Sequence, residues 1–569
     1  MTEKIWEYKN KSISKEEIAE FARLCRIPPF AALLLLNRGI KTPHDAQKYI
    51  KKTLDGINDP FLMPDMDKAV GRIVSAIRNK EKITVYGDYD VDGVTSTALL
   101  VRFLRDHGAE ASYYIPSREK EGYGINVMAV NKISKTGTKL LITVDCGITS
   151  VGEVELAKTL GMDVIVTDHH LCKEKLPGAT AVVDPKRPDS EYPFSQLAGA
   201  GVIFKTMLAA AKALGEKTTD CFFKYVELAA VGTVADVVDL LDENRVITEK
   251  GLELMKDSGY AGIRALLKTS GADKRPVNAT AVAFMLAPRI NAAGRLDGAE
   301  KAAELLITDD DEKAAELALE LEADNSERRN VEQEIYEDAL KIIEADSDFD
   351  KKRVIVLAKE NWHHGVIGIV ASRITEQFYR PSVLISIDKD GKCKGSGRSI
   401  EGFNLFDALS DSAELLTGFG GHSMAAGVAL SKNELEAFDA KINKYAKNAL
   451  TEHDMIPKLY IDCELAPQML TVKTVKMLEF MEPFGAANPK PVFSISNATV
   501  KKIDLIGENK NHVRMTLEKN GIVLNAVGFR MAWIADKKRA GDNISCAFSA
   551  EINAFRGEES VQLVLKDIK

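Results

Sequence analysis

Between residues 83 and 239 the chain ends a series of strand-like apolar runs on acidic residues and histidine. The runs are ITVYGDYDVDG, LLITVDCGIT, VIVTDHH and AVVDP, and a further acidic element, VGTVADVVD, follows. Each of the four opens on consecutive apolar β-formers, as a buried parallel strand does, and stops on polar residues. Ligands of open α/β sheets bind beyond the carboxyl ends of the strands. Asp88, Asp90, Asp92, Asp145, Asp168, His169, His170, Asp184 and Asp236 are therefore expected to converge on one site. Carboxylates a few ångströms apart repel and raise each other's pKa, and divalent cations relieve that repulsion. Carboxylate with imidazole, and no thiolate cluster, points to Mg²⁺ or Mn²⁺ before structural zinc. Two such ions side by side do the chemistry of phosphoester hydrolysis.

The Asp-x-Asp-x-Asp-Gly of residues 88–93 sits in a strand-to-helix turn, where alternate residues of extended backbone point the same way. Asp90 and Asp92 can then each address one ion while Asp145 bridges the pair. The same spacing opens a calcium loop, but that loop ends on glutamate, and here the position is Leu99. Asp168-His169-His170 ends a buried strand in a chain with only nine histidines, which favours a working pair over a satisfied core imidazole.

These residues need elements to hold them. From about residue 55 to 240 strand and helix alternate, which is the grammar of a doubly wound parallel sheet. Residues 200–290 read as mainly helical. The stretch 312–345 lacks Gly and Pro and is rich in Ala, Glu, Leu and Lys, so it is expected to be one long helix linking two domains. An α/β pattern resumes at 353–450, and short alternating strands from about 458 suggest a small closed barrel, with an OB-fold as the leading candidate. The fold class expected is α/β, a parallel-sheet domain joined by a long helix to a second α/β domain, plus a C-terminal OB-like barrel. The division expected is a helical segment 1–54, a catalytic domain 55–300, a connecting helix 301–350, a substrate domain 351–455 and the barrel 456–569.

At 569 residues and 45% hydrophobic content the chain has ample core for several domains. The net charge of −8 lacks the usual basic footprint of a nucleic-acid binder, although two divalent ions restore four positive charges. Seven scattered cysteines without a CxxC argue for reduced thiols rather than a disulfide framework or zinc knuckle. The charged MTEKIWEYKNK lacks a signal-peptide core, and FAALLLL is far short of a membrane span. A cytoplasmic protein is the expectation. No GxGxxG follows the first strand, which excludes a dinucleotide enzyme of that type.

DYDVDG, VDCGIT, TDHH and VVDP, in this order, resemble the DHH phosphoesterase superfamily, and GFGGHSMAAG resembles the Gly-Gly-His loop of its companion DHHA1 domain. IPSREKEGYG, LAPRINAAGRL and EPFGAANPKPVF narrow the resemblance to the superfamily's single-strand-specific 5′→3′ DNA exonucleases, over residues 20–569. The resemblance implies two divalent ions, Mn²⁺ or Mg²⁺. Asp90 with Asp145, helped by Asp88, is implied to hold one, and Asp92, Asp145, His169 and Asp236 the other. His170, Asp145 and Asp168 form the implied catalytic group, with Asp168 and Asp184 orienting the ligands. Arg118, Ser396 and Arg398 are implied to grip a 5′-terminal phosphate, while Arg295 and His422 contact the strand nearby.

Read from chemistry alone, GSGRS (395–399) offers a hydroxyl, a guanidinium and exposed amides in a Gly-rich turn. The turn before the helix starting near Gly365 is a further anion candidate or simply a cap. Lys501, Lys502, Lys510, His512, Arg514, Phe529, Arg530 and Arg556 are the barrel's available strand-binding residues. The expected partners are single-stranded DNA with a 5′ end, a helicase and a single-strand-binding protein, acting with a monomer. Competing readings are a short-oligonucleotide or small-phosphoester phosphatase and a non-catalytic replication scaffold. The extra domains weigh against the first, and the filled metal positions against the second.

Overall fold

The computed structural model describes residues 4–118, 120–296, 298–555 and 557–569. They fall into two compact units, one of residues 58–238 and 250–457, the other of 4–57, 239–249 and 458–569. Among the described residues no helix is long and apolar enough to cross a membrane.

In the first unit β1 (Ile83–Tyr86), β2 (Ala111–Tyr114), β3 (Leu140–Val144), β4 (Asp163–Thr167) and β5 (Ala181–Val183) form an all-parallel sheet ordered β2-β1-β3-β4-β5. β1, β3 and β5 are buried throughout, which is why they read as unbroken apolar runs. From β1 the chain passes through α1 (Val91–Asp106) to β2 at the sheet's edge, then returns to lay β3 on the other side of β1. The strand order thus reverses between β1 and β3, and a crevice opens at their carboxyl ends. DYD comes just after β1 and Asp145 directly follows β3, so topology alone brings Asp88, Asp90 and Asp145 together.

Helices α2 (Gly199–Leu214) and α3 (Thr218–Ala235) pack on α1, and α4 (Ala287–Arg295) follows. The connecting helix α5 (Asp311–Ala345) is 35 residues long, about 52 Å at 1.5 Å per residue. Asp310 caps it by accepting from the amides of Glu312 and Lys313. Its buried positions, Ala314, Ala318, Leu321, Asn325 and Arg328 among them, recur every three or four residues, so one stripe is packed and the rest is solvated.

Beyond α5 lie β6 (Ile355–Glu360), α6 (His364–Phe378), β7 (Ser382–Ile387), β8 (Lys392–Arg398), β9 (Gly418–Gly421) and β10 (Ala425–Ser431), with sheet order β9-β10-β8-β7-β6. Only β6 and β7 are parallel. One face carries a core of Val383, Ile385, Cys393, Val428 and Leu430 under Phe438 and Ile442. On the other, Leu384 joins a cluster with Val366, Val370 and Ile374 of α6. The Gly-rich turn expected at 395–399 is not a turn. Residues 392–398 are strand β8, paired on both sides, so the ladder consumes the amides that were expected to be exposed.

The second unit holds the barrel. Strands Phe493–Ile506, His512–Lys519, Ile522–Gly528, Asn543–Phe555 and Glu558–Ile568 close through pairing of the first with the fourth, and the third and fifth run parallel. This is the OB-like barrel that the strand pattern suggested. The early helices join its core: Leu33 and Leu34 of Pro29–Leu36 share one cluster with Phe493, Met515 and Phe548. Strand Ile5–Tyr8 pairs in parallel with Lys458–Ile461. Arg245, only 2% exposed, donates to the carbonyls of Tyr49, Phe480 and Met481 and stacks on the Tyr49 ring at 3.9 Å.

Candidate functional site

At the crevice, Asp90 is the N-cap of α1, its Oδ1 accepting from the Gly93 amide at 3.0 Å. Asp92, in the first turn, accepts from the amides of Gly199 and Ala200 at 2.6 and 2.8 Å, which pins it against the start of α2. A Cβ on Gly199 would lie 2.7 Å from the Asp145 carboxylate, and one on Gly232 would lie 2.8 Å from Asp92 Oδ1. Both approaches require glycine. Asp145 itself holds a left-handed backbone (φ 59°), uncommon for a residue with a side chain. Asp236 lies in the stretch that reads as mainly helical. It caps the C-terminus of α3, and the α1–α3 packing carries it to the site.

The result is three overlapping groups whose ligand atoms lie within 4.8 Å of one another: Asp88, Asp90 and Asp145; Asp92, His169 and Asp236; and Asp145, His169 and His170. His169 Nε2 stands 3.1 Å from Asp145 Oδ1, 3.8 Å from Asp92 Oδ2 and 3.7 Å from Asp236 Oδ2. Burial, and then the charges of neighbouring carboxylates, Asp90 on all three and Asp236 on Asp92 and Asp145, push the carboxyls of Asp88, Asp92 and Asp145 well above the ordinary range. Asp236 is raised to about 7 by burial and by Asp90. Burial and the neighbouring His170 bring His169 down to about 3, which keeps it neutral with a lone pair to give. Among the described residues, Asp88 Oδ1, Asp145 Oδ1 and His169 Nε2 are buried without a hydrogen-bond partner. Buried polar atoms are ordinarily paired, and orphaned carboxylate oxygens beside a neutral imidazole are a donor set for hard or borderline divalent cations.

Asp168 plays a different part. Fully buried, it accepts from the amides of Ile148, His169 and His170 and pairs with His170 Nδ1 at 2.7 Å. Burial works against its charge, but the His170 bond, the two imidazoles' charges and the Ile148 amide together outweigh it and leave the carboxyl below its ordinary value. On His170, burial likewise opposes the charge and Asp168 overcomes it, raising the imidazole to about 9. Asp184 accepts from the Lys186 amide, is pushed by burial to about 7, and lies outside the three groups.

Two cavities meet here. One of about 290 Å³ is walled by Asp88, Asp90, Asp92 and Asp236, and a larger one of about 760 Å³ by Lys394, Ser396 and Arg398; Tyr89, Arg118, Tyr123 and Arg295 belong to both. Arg118 lies over the Tyr89 ring at 5.2 Å, and Arg398 bonds Ser396 Oγ at 3.0 Å. Burial, then Arg118, Arg328 and Arg398, lower Arg295 to about 10, so these guanidiniums crowd one another with too little negative charge nearby. His422 is exposed beyond β9 and is not among the walls of either cavity. His363 caps α6, accepting from the Gly365 amide, while His364 lines the larger cavity. In the barrel, Lys501 and Lys502 pair with Glu518 and Asp504; Phe529 is 59% exposed and packs edge-on against His512, with Lys510, Arg514 and Arg530 exposed nearby; Arg556 lies outside the described residues.

Sequence reasoning missed Tyr89 and Tyr123. The Tyr123 hydroxyl is 3.1 Å from His170 Nδ1, and a Cβ on Gly294 would overlap the Tyr89 carbonyl oxygen, so α4 presses on the acidic loop. A tyrosine inside DYD and another inside a GYG turn were the only signals.

Residues 82–233 match the N-terminal domain of the DHH family, 351–448 the DHHA1 domain and 461–567 the RecJ OB domain. Fold and site together thus define a DHH-class chain carrying a DHHA1 domain and an OB barrel. The single-stranded-DNA-specific exonuclease RecJ of Bacillus subtilis is 40% identical over 554 residues, covering 97% of this chain and 69% of its own. That of Escherichia coli is 33% identical over 576 residues, 98% of each chain. The crystal structure of Thermus thermophilus RecJ in complex with Mn²⁺ superposes with a TM-score of 0.84 at 31% identity, covering 100% of this chain and 79% of that one. The chain belongs to the RecJ family.

Proposed function

We propose that the protein is a metal-dependent exonuclease that hydrolyses single-stranded DNA from the 5′ end to mononucleotides, in DNA recombination and repair. The observation that carries this reading is the pair of cavities with shared walls, one acidic and one lined by Ser396 and three arginines. A phosphodiester seated at their junction meets both. Asp90 and Asp145, with Asp88, are assigned to one divalent cation, Mn²⁺ or Mg²⁺, and Asp92, Asp145, His169 and Asp236 to the other. When bound, the two ions supply Lewis acidity and a water of lowered pKa.

The chain's own residues bind and orient. Asp168 commits His170 Nδ1 and keeps the ring cationic, which leaves its second N–H for an oxygen of the scissile phosphate. Arg118, Ser396 and Arg398 grip the 5′-terminal phosphate, which sets the register at one nucleotide. Arg295 and His422 hold the strand beyond it, and Asp184 steadies the Asp168 loop. The barrel receives the incoming strand. A helicase and a single-strand-binding protein as partners, a monomeric state and a cytoplasmic location complete the reading.

The test follows 5′- or 3′-labelled single strands in Mn²⁺, comparing wild type with Asp145→Ala. Immediate release of labelled mononucleotide from the 5′-labelled strand, lost in the variant, is expected. A ladder of shortened 5′-labelled fragments would overturn the polarity and the phosphate assignment. Cleavage confined to very short oligomers would favour the phosphatase reading.

A further inference from the structure

Glycine inside a strand is a weak choice unless geometry demands it or something approaches closely. β8, β9 and β10 hold six glycines, and three have internal reasons. A Cβ on Gly395 or Gly397 would lie 2.7 Å from Val428 or Leu405, and Gly421 has φ 142° and sits against the Ala425 carbonyl. The other three have none. Nothing lies within 4 Å of a Cβ on Gly418 or Gly420, and one on Gly427 would meet only two carbonyl oxygens, at 3.9 and 4.0 Å. None of these three has a positive φ.

All three share a face. The register sets Gly420 opposite Gly427, Gly427 opposite Ser396, Ala425 opposite Arg398, and both Gly418 and Lys394 opposite Ala429. Strand alternation then puts these glycines and alanines on the side of the sheet from which Lys394, Ser396 and Arg398 project. α6 covers that side only over β7 and β8, where a Cβ on Gly368 would lie 2.9 Å from Ser396 Oγ. Past this step no described residue covers the sheet, and it floors the 760 Å³ cavity.

We propose that this bare patch seats the nucleobase belonging to the phosphate assigned above to Ser396 and Arg398; the inference rests on that reading. The occupant follows from the surroundings. The rim is cationic, through Arg118, Arg398 and Lys394, and the acidic cavity adjoins, so an anionic chain ends here. Two strand spacings, about 10 Å, leave a floor broad enough for a purine lying flat on the peptide planes. The floor offers no polar side chain; its amides and carbonyls are spent in the ladder except along the outer edge of β9, where they lie in the plane of the sheet and not toward its face. No base edge is read. The patch therefore admits any of the four bases equally, the property an enzyme needs to consume a strand of arbitrary sequence.

The test uses Gly427→Ala and Gly427→Val in the Mn²⁺-loaded full chain. Both are expected to melt at or above the wild-type temperature and to bind Mn²⁺ unchanged by calorimetry. Gly427→Val should raise KM at least tenfold on 5′-phosphorylated oligo-dT, oligo-dA and oligo-dC alike, with kcat little altered. A 5′-phosphorylated strand whose first nucleotide is abasic should show raised KM with wild type and no further rise with Gly427→Val. Wild-type KM in the Val variant overturns the proposal, as does a lowered melting temperature in the Ala variant, because the glycine would then be structural. Both outcomes leave the exonuclease reading intact. That reading falls separately, if wild type fails to digest the phosphorylated strand.

Discussion

With the cations stripped, the acidic cluster should work against folding, and Asp236 allows the effect to be sized. Its carboxyl titrates at about 7 in the folded chain, against an ordinary value of 3.8, because of burial and Asp90. A carboxyl whose folded pKa is raised costs nothing below the unfolded pKa; the penalty grows as pH rises from about 4 to 7 and is flat above. At 1.36 kcal/mol per pK unit the full penalty is ~4 kcal/mol. Asp236→Asn removes it. In EDTA at pH 8 the variant should be more stable by that amount, about 5 °C in melting temperature for a unit of roughly 390 residues. At pH 4 the two proteins should melt together. In Mn²⁺ the gap should narrow by ~2.7 kcal/mol, the gain wild type takes from the one ion assigned to Asp236 at a hundredfold excess over its Kd. Asp92→Asn makes the contrast, because Asp92 accepts two buried amides and an asparagine offers only one acceptor oxygen. Its gain in EDTA should be smaller or absent. Scanning calorimetry at pH 4 and 8, with EDTA and with Mn²⁺, reads all of this. If Asp236→Asn lowers the melting temperature in EDTA at pH 8, the repulsion argument is wrong.

Asp168→Ala strands the amides of Ile148, His169 and His170, at ~1–3 kcal/mol each, so urea unfolding should show a loss of at least ~3 kcal/mol. Stability equal to the parent would remove Asp168 from its orienting role. Asp168→Asn should let His170 fall from about 9 toward its ordinary ~6.5, measured by NMR titration in EDTA; an unchanged value would mean that the pair is not what holds the proton. Arg118→Ala and Arg398→Ala should each flatten the salt dependence of single-strand binding by about 0.7 in log–log slope, read by fluorescence anisotropy, and an unchanged slope would deny a phosphate contact. Arg245→Met leaves the carbonyls of Tyr49, Phe480 and Met481 without their donor, and should lower the unfolding free energy of the barrel unit by ~3 kcal/mol or more in denaturant titration.

The acidic centre was legible because its signals are local. An apolar run that halts on aspartate marks a strand end, and the parallel grammar places those ends on one edge. Asp236 was found by composition, but its position at a helix end depends on how α3 packs against α1, with Gly232 close to Asp92. The run GSGRS was misread as a turn because its small residues look like a loop; only pairing with β7, its hairpin partner just upstream, and with β10, further along the chain, makes it a strand. Tyr123 was invisible, since nothing in GYG announces a bond to His170. The strand Ile5–Tyr8 finds its partner some 450 residues later, a pairing that no local pattern encodes.

That last pairing bears on how the chain is made. Residues 4–57 belong to a unit whose remaining parts are 239–249 and 458–569. Ribosomes add ~5–20 residues per second, so the roughly 400 residues before position 458 take on the order of 20–80 s to emerge. For that time Leu33, Leu34 and the edge of Ile5–Tyr8 have no barrel to bury against, while every residue of the acidic centre has already left the ribosome. A nascent chain of this protein therefore acquires its hydrolytic cluster before Leu33, Leu34 and the Ile5–Tyr8 edge have a partner, and those residues are where a chaperone would be expected to hold it.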